Sequence, residues 1–255
     1  MRIGLATRRL NRQGNVLVGG FAFGPSAANV THVFYAQMYA AGVPPYTADL
    51  RHTNLRSPAA VRILTEQVQL FRDKITSNSV SVIDFGGQVA AMAVMPNWQK
   101  YTLEAALGPR FASTIGVAPI PTDGPGGTMI YSFFWGVDRA SPVKRQAWDL
   151  LLWLNRARGR DGLSCTGRMV AGVGELTGNR ADLAAMRPRA DAFTRQYLAA
   201  LASPGAVNQA NLWHAEEVDR QLKYYIELAW AGKMTPAAAL AAADTEIRKI
   251  LAEQP

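Results

Sequence analysis

The sequence predicts an α/β fold, and three observations carry that reading. Residues 89–94, Val-Ala-Ala-Met-Ala-Val, form a short apolar run between the Gly86-Gly87 pair and Pro96. That length, bounded by breakers, suits a strand buried on both faces. Ser57-Pro58 and Thr235-Pro236 each set a hydroxyl N-cap before a proline at the first helical position, a strong helix start. Residues 115–121 must be extended, because two prolines exclude helix and bias the residue before each toward β. Helices with a few intervening strands, crossing at Pro-rich segments, make an α/β protein.

The elements follow in order. Residues 1–20 are polar and interrupted by Gly14, Gly19 and Gly20, so an irregular, poorly packed lead-in is expected. Residues 29–41 place Val30, Val33, Phe34, Gln37 and Met38 at helical spacing before Gly42 stops them. After Ser57-Pro58, the residues Val61, Leu64, Val68, Phe71 and Ile75 mark one face of a long helix. Phe85 and the glycine pair then turn the chain into the 89–94 run, and Asn97-Trp98 follow its carboxyl end, where open α/β sheets bind ligands. Trp98 has the shape of a stacking platform there; its other reading is core. Residues 103–107 make a short helix, 123–127 a turn and 129–137 an aromatic-rich strand. Ser141-Pro142 caps a helix with Ala147, Leu150, Leu151 and Leu154 inward. Residues 159–179 are glycine-rich and poorly periodic. Helices resume over 181–186, 190–201 and 212–231, and a last one runs from Thr235-Pro236 nearly to the end.

Bulk properties narrow the function. The 255 residues suffice for one large domain or two small ones with a substantial core. No apolar run reaches the roughly 18 residues that span a bilayer, so the chain is not expected to cross a membrane. Residues 1–20 lack a continuous apolar stretch and are not expected to be a signal peptide. Cys165 stands alone, which excludes an intrachain disulfide. The formal charge of +8 and the pI near 9.9 invite a nucleic-acid reading. The basic residues are mostly Arg interleaved with Asp and Glu over 139–195, with no Lys/Arg block, so a solvated basic surface is expected and no nucleic-acid partner.

A search for chemistry finds little. His32, His52 and His214 stand without Cys or carboxylate at metal-ligand spacing, so no metal site is expected. No Gly-x-Ser-x-Gly elbow or phosphate-binding loop occurs. Gly172-Val173-Gly174-Glu175-Leu176-Thr177-Gly178 is one residue too long for a dinucleotide fingerprint and reads as a flexible loop. Neither an enzyme nor a cofactor is expected. The aromatics are left: Tyr35, Tyr46, Trp98, Tyr131, Phe133, Phe134, Trp135 and Trp213 fall near loops or element ends. Sugars present apolar C–H faces ringed by hydroxyls, so aromatic planes with a few polar partners suit them. Singly each is a core candidate; as a set they form a candidate binding cleft.

Four segments in order carry a family resemblance. Ala229-Trp230-Ala231-Gly232-Lys233-Met234-Thr235-Pro236, continuing through Leu240 to Leu251, resembles the closing pattern of extracellular solute-binding proteins of sugar-type, maltose-binding-protein-like ABC importers. Phe85-Gly86-Gly87-Gln88-Val89-Ala90-Ala91-Met92 with Asn97-Trp98 resembles that family's segment before a ligand-contacting Trp. Gly116-Val117-Ala118-Pro119-Ile120-Pro121 resembles its strand entering the other lobe, and Gly136-Val137-Asp138-Arg139-Ala140-Ser141 with Ala147-Trp148 its strand-to-helix return.

The resemblance implies a type II periplasmic-binding-protein-like fold of two α/β lobes closing on a ligand. It implies a carboxy-terminal lobe from 21–118 and 195–255, a remnant of the amino-terminal lobe from 119–194, and a lead-in at 1–20. The family's chain opens with an exported leader and half a lobe that have no counterpart before Met1, so truncation at the amino terminus is expected, and with it uncovered apolar surface and sheet edges. The implied partners are a carbohydrate or similar polar small molecule and importer permease subunits; the implied location is periplasmic or extracellular, at the membrane. By position Trp98 and Trp213 would be stacking aromatics and Asn97 a hydrogen-bond partner, with Ser26, Asn29, Tyr131, Phe134 and Trp135 along the cleft. The alternative is a protein-interaction module outside transport, or a non-functional fragment.

Overall fold

Two of the helix starts legible in the sequence, Ser57-Pro58 and Thr235-Pro236, act as caps in the computed structural model, which describes residues 1–253. Ser57 accepts from the Ala60 amide at 3.2 Å and opens the helix Pro58–Arg72. Thr235 does the same for Ala238 at 3.2 Å and opens Pro236–Ala252. Ser26 caps Ala27–Ala40, accepting from Asn29 at 3.0 Å. Each bond satisfies an amide that has no partner inside the helix.

The chain divides into two compact units. The first comprises Met1–Met95, Pro119–Ile130 and the chain from Ser203 on; the second comprises Pro96–Ala118 and Tyr131–Ala202. In the first, the helices Ala27–Ala40, Pro58–Arg72, Ala215–Trp230 and Pro236–Ala252 surround one core. Val30, Phe34 and Met38 come from the first helix, Leu64 and Val68 from the second, Val218, Leu222 and Ile226 from the third, and Leu240, Ile247 and Leu251 from the fourth. The spacing by four, or by seven then four, keeps one face of each helix inward.

Two pieces of parallel sheet complete this unit. Single bridges join Gly19 to Ala90, Ala22 to Ala93 and Phe23 to Ser81. The helices Ala27–Ala40 and Pro58–Arg72 lie between the paired segments in sequence, as a parallel crossover requires. The run 89–94 is therefore not the continuous, doubly buried strand expected of it: Ala90 alone is buried, and among the described residues it pairs on one side only. Thr128–Ile130 pairs in parallel register with Ala206–Asn208. Gly127 and Gly205 permit that approach, since a Cβ on Gly127 would stand 2.5 Å from the Gly205 carbonyl oxygen. The expected strand over 129–137 stops at Ile130, because the backbone beyond it has no strand beside it among the described residues.

The lead-in is more ordered than its composition predicts. Arg2–Thr7 is a short helix, and Arg9–Leu10 pairs antiparallel with Val16–Val18. Gly4 is buried there, within reach of Ile75 and of the Gly20 backbone.

The second unit is helical: Gln99–Leu107, Phe111–Thr114, Lys144–Arg156, Cys165–Gly172, Arg180–Met186 and Ala192–Leu201. Its boundaries differ from the expected lobe limits at 118 and 194, since residues 96–118 pack here. Phe111 meets Phe193 at 5.5 Å, and Lys100 Nζ pairs with Asp191 at 2.9 Å. Asp182 is the polar centre. Its buried carboxylate accepts from the Ser164 amide at 2.8 Å, the Ser164 hydroxyl at 2.6 Å and Arg158 Nη1 at 2.7 Å. The poorly periodic stretch 159–179 nevertheless holds a helix: Ser164 caps Cys165–Gly172 within it. Ser141 does not cap the helix that follows it; Lys144–Arg156 begins after Val143, without a side-chain cap. Of its expected inward residues, Ala147, Leu151 and Leu154 are only half-buried and Leu150 is 55% exposed, because the described residues cover that face only in part.

Candidate functional site

Trp98 is where local sequence and tertiary packing meet. Pro96 ends the preceding run, and Trp98 sits in helical conformation at the head of Gln99–Leu107 without a side-chain cap bond. Its indole is partly buried against two rings of the same unit: Tyr131 at 5.8 Å and Phe133 at 6.3 Å. Tyr131 and Phe133 meet edge to face at 5.2 Å and 87°. These separations and tilts are those of favourable aromatic pairs. Tyr131 is 41% and Phe133 71% exposed, so the cluster offers ring surface to solvent. Asn97, partly buried beside it in sequence, donates from Nδ2 to the Gly174 carbonyl at 3.4 Å. Such a group can stack on an apolar ligand face and hydrogen-bond at its edge.

Of the candidate aromatics the structure brings together Trp98, Tyr131 and Phe133. Phe134 is 89% and Trp135 59% exposed in the same run. The others lie in the first unit. Ser26 is committed to its cap, and Asn29 supplies the amide that Ser26 accepts. Trp213 is 52% exposed and stands edge to face with the His214 ring at 5.4 Å.

Two aromatics of the candidate set belong to the core instead. Tyr35 and Tyr46 are buried, with hydroxyl oxygens 2.6 Å apart, and Tyr35 donates to Asp219 Oδ1 at 3.0 Å. Tyr46 must then donate to Tyr35. Burial, followed by the neighbouring Tyr46 and Asp219, raises the Tyr35 pKa well above the ordinary phenol value; burial likewise raises that of Tyr46. Both hydroxyls therefore stay protonated. His32 Nε2 lies 3.6 Å from Asp219 Oδ2 and 3.1 Å from Gln209 Nε2. Nothing local announces this network, because Asp219 comes from a helix far along the chain; the only sequence signal is an acidic residue on an otherwise apolar helix face.

Among the described residues no three His, Cys, Asp or Glu side chains are grouped as a metal site needs, and no helix is long and apolar enough to cross a membrane. The segment 172–178 follows a helix instead of the strand that a dinucleotide fold requires.

No family model matches the chain, and no curated protein does. Solved structures do. An ABC transporter solute binding protein from Thermotoga lettingae, bound with α-D-tagatose, matches at a TM-score of 0.71 and 20% identity, over 92% of this chain and 60% of that one. The sugar-binding protein MalE from the phytopathogen Xanthomonas citri matches at 0.69 and 17%, over 93% and 59%. The maltose/maltodextrin-binding domain MalE from Bdellovibrio bacteriovorus, bound to maltotriose, matches at 0.68 and 19%, over 97% and 64%. At such identities the likeness is one of fold, and this chain spans about three fifths of the length of the proteins it matches. The helices, parallel strand pieces and crossovers described above are accordingly those of a partial MalE-like fold, that of the solute-binding proteins of sugar ABC transporters.

Proposed function

We propose that this chain serves as the carbohydrate-binding component of an ABC importer, holding its ligand by aromatic stacking and hydrogen bonds and catalysing nothing. The observation that carries the reading is the Trp98–Tyr131–Phe133 cluster, solvent-facing and flanked by Asn97, in a chain with this fold. In this reading the apolar C–H face of a sugar ring stacks on the indole, and Asn97 engages hydroxyls at its edge. Trp213 supplies a second platform from the first unit, and the expected interlobe cleft, with Ser26 and Asn29 on its border, belongs to the same proposal. Its partners are the importer's permease subunits, and its place is the periplasm or cell exterior. The two-lobe assignment of the units is likewise part of it.

Calorimetric titration with a panel from monosaccharides to maltodextrins tests the reading. A saccharide should bind the native chain, and Trp98→Ala should weaken it at least tenfold, about 1.4 kcal/mol, without lowering the unfolding temperature of the first unit. No binding to any saccharide at millimolar concentration, or equal binding by Trp98→Ala, would refute it.

A further inference from the structure

The second unit carries an unpaired edge, and its chemistry indicates what covers it. After the strand Thr128–Ile130, the residues Tyr131-Ser132-Phe133-Phe134-Trp135-Gly136-Val137 contain no charge and no proline, and most favour strands. Yet the amides and carbonyls of 132–136 make no hydrogen bond among the described residues. Tyr131 and Phe133, two apart, both reach Trp98, whereas Ser132 between them is exposed and Phe134, next along the run, is 89% exposed. One side of the run thus touches Trp98 while keeping ring surface exposed, and the other is bare. A short turn leads from it into Lys144–Arg156, a helix with no buried residue, whose Leu150 and Trp153 are 55% and 56% exposed. Residues three apart lie on one helix face. Proteins seldom leave such an edge and such a face open to water, because both recruit other chains.

The charges choose the occupant. Arg139, Lys144, Arg145 and Arg156 are exposed around the run and the helix, against Asp138 and Asp149, and none of the four cations makes an ion pair among the described residues. A second copy would bring this basic rim against itself. An acidic rim would be attracted. The solved structures of this fold also contain about two fifths of their length with no counterpart here. We propose that the second unit docks a strand-bearing polypeptide segment with an acidic rim, which pairs its backbone with residues 132–136 and lays apolar side chains over Phe134, Leu150 and Trp153. This inference stands independently of the carbohydrate reading, and the mode is strand addition, in which backbone bonds give affinity and alternate side chains give selectivity.

The test uses the full chain and three ten-residue probes: a peptide alternating Val and Glu, its Val and Lys counterpart, and the Val and Glu peptide N-methylated at alternate amides. Hydrogen exchange at residues 132–136 and titration affinity are read together. The acidic peptide should slow exchange at those amides at least tenfold, bind at least tenfold tighter than the Lys peptide, weaken with salt, and lose binding on N-methylation. Phe134→Glu, at a solvent-facing position, should abolish the effect while circular dichroism stays unchanged. Equal binding of the acidic and basic peptides, or undiminished binding of the N-methylated one, overturns the proposal. So does a concentration-dependent dimer of the chain alone with the same amides protected, since that makes a second copy the occupant.

Discussion

Replacing Asp182 by Asn should destabilise the second unit by about 3 kcal/mol. The carboxylate is fully buried and accepts three hydrogen bonds, two from Ser164 and one from Arg158. It thereby ties the residue before Cys165–Gly172 and the loop arginine to the helix Arg180–Met186. Asn keeps the shape and, with its oxygen at the Oδ1 position, the acceptor for the Ser164 amide and Arg158, but it removes the charge and turns an NH2 toward the Ser164 hydroxyl, which had donated there. Hydrogen bonds to a charged group contribute roughly 1.5–3 kcal/mol each, and removing one partner of a buried ion pair costs about 3–5. The Arg158 side chain is 32% exposed and can recover water, which places the effect at the lower end. The sign with pH follows from the carboxyl's titration. Burial by itself raises its pKa, but the hydrogen bonds from Ser164 and Arg158 outweigh it, so the folded value lies below the usual 3.8. Stability from this group is present above about pH 4 and is lost as pH falls through the folded value. Hydrogen exchange at the Ser164 amide, with urea unfolding followed at several pH values, measures both effects. The gap between native and Asp182→Asn should be full at pH 7 and shrink on acidification below pH 4. A loss under 1 kcal/mol at pH 7, a gap independent of pH, or no coupling in a double-mutant cycle with Arg158→Met would refute the reasoning.

Three other outcomes are expected. Trp98→Ala should lose saccharide affinity at least tenfold in calorimetry while the first unit's stability is unchanged. Tyr35→Phe should cost about 1–3 kcal/mol in chemical denaturation, since it leaves Asp219 without its phenol donor and Tyr46 without an acceptor, each buried; the double variant with Tyr46→Phe should be less damaging than the sum of the singles. Gly20→Ala should speed hydrogen exchange through the helix Arg2–Thr7, because its Cβ would stand 2.3 Å from the Gly4 carbonyl oxygen and the helix must move away; unchanged exchange there would show that the contact is dispensable.

The helices of this protein are legible in its sequence for a local reason. Ser57, Thr235 and the apolar positions of the helices they open act within a few residues of themselves, through cap hydrogen bonds and a 3.6-residue period. The prominence of Trp98 is legible too, since Pro96 and the change of period mark its position. Composition likewise excluded a membrane-spanning helix, and no described helix has the length and apolarity for one. The tertiary structure alone decided which distant segments meet. Residues 19–22 find 89–93 across two helices, Asp219 finds Tyr35, and Asp182 finds Ser164 and Arg158, because pairing between remote surfaces depends on the whole fold and leaves no local trace. The same physics explains the misread helix Lys144–Arg156. Its apolar stripe declares a buried face, but burial needs a neighbour, and periodicity cannot say whether the described chain provides one.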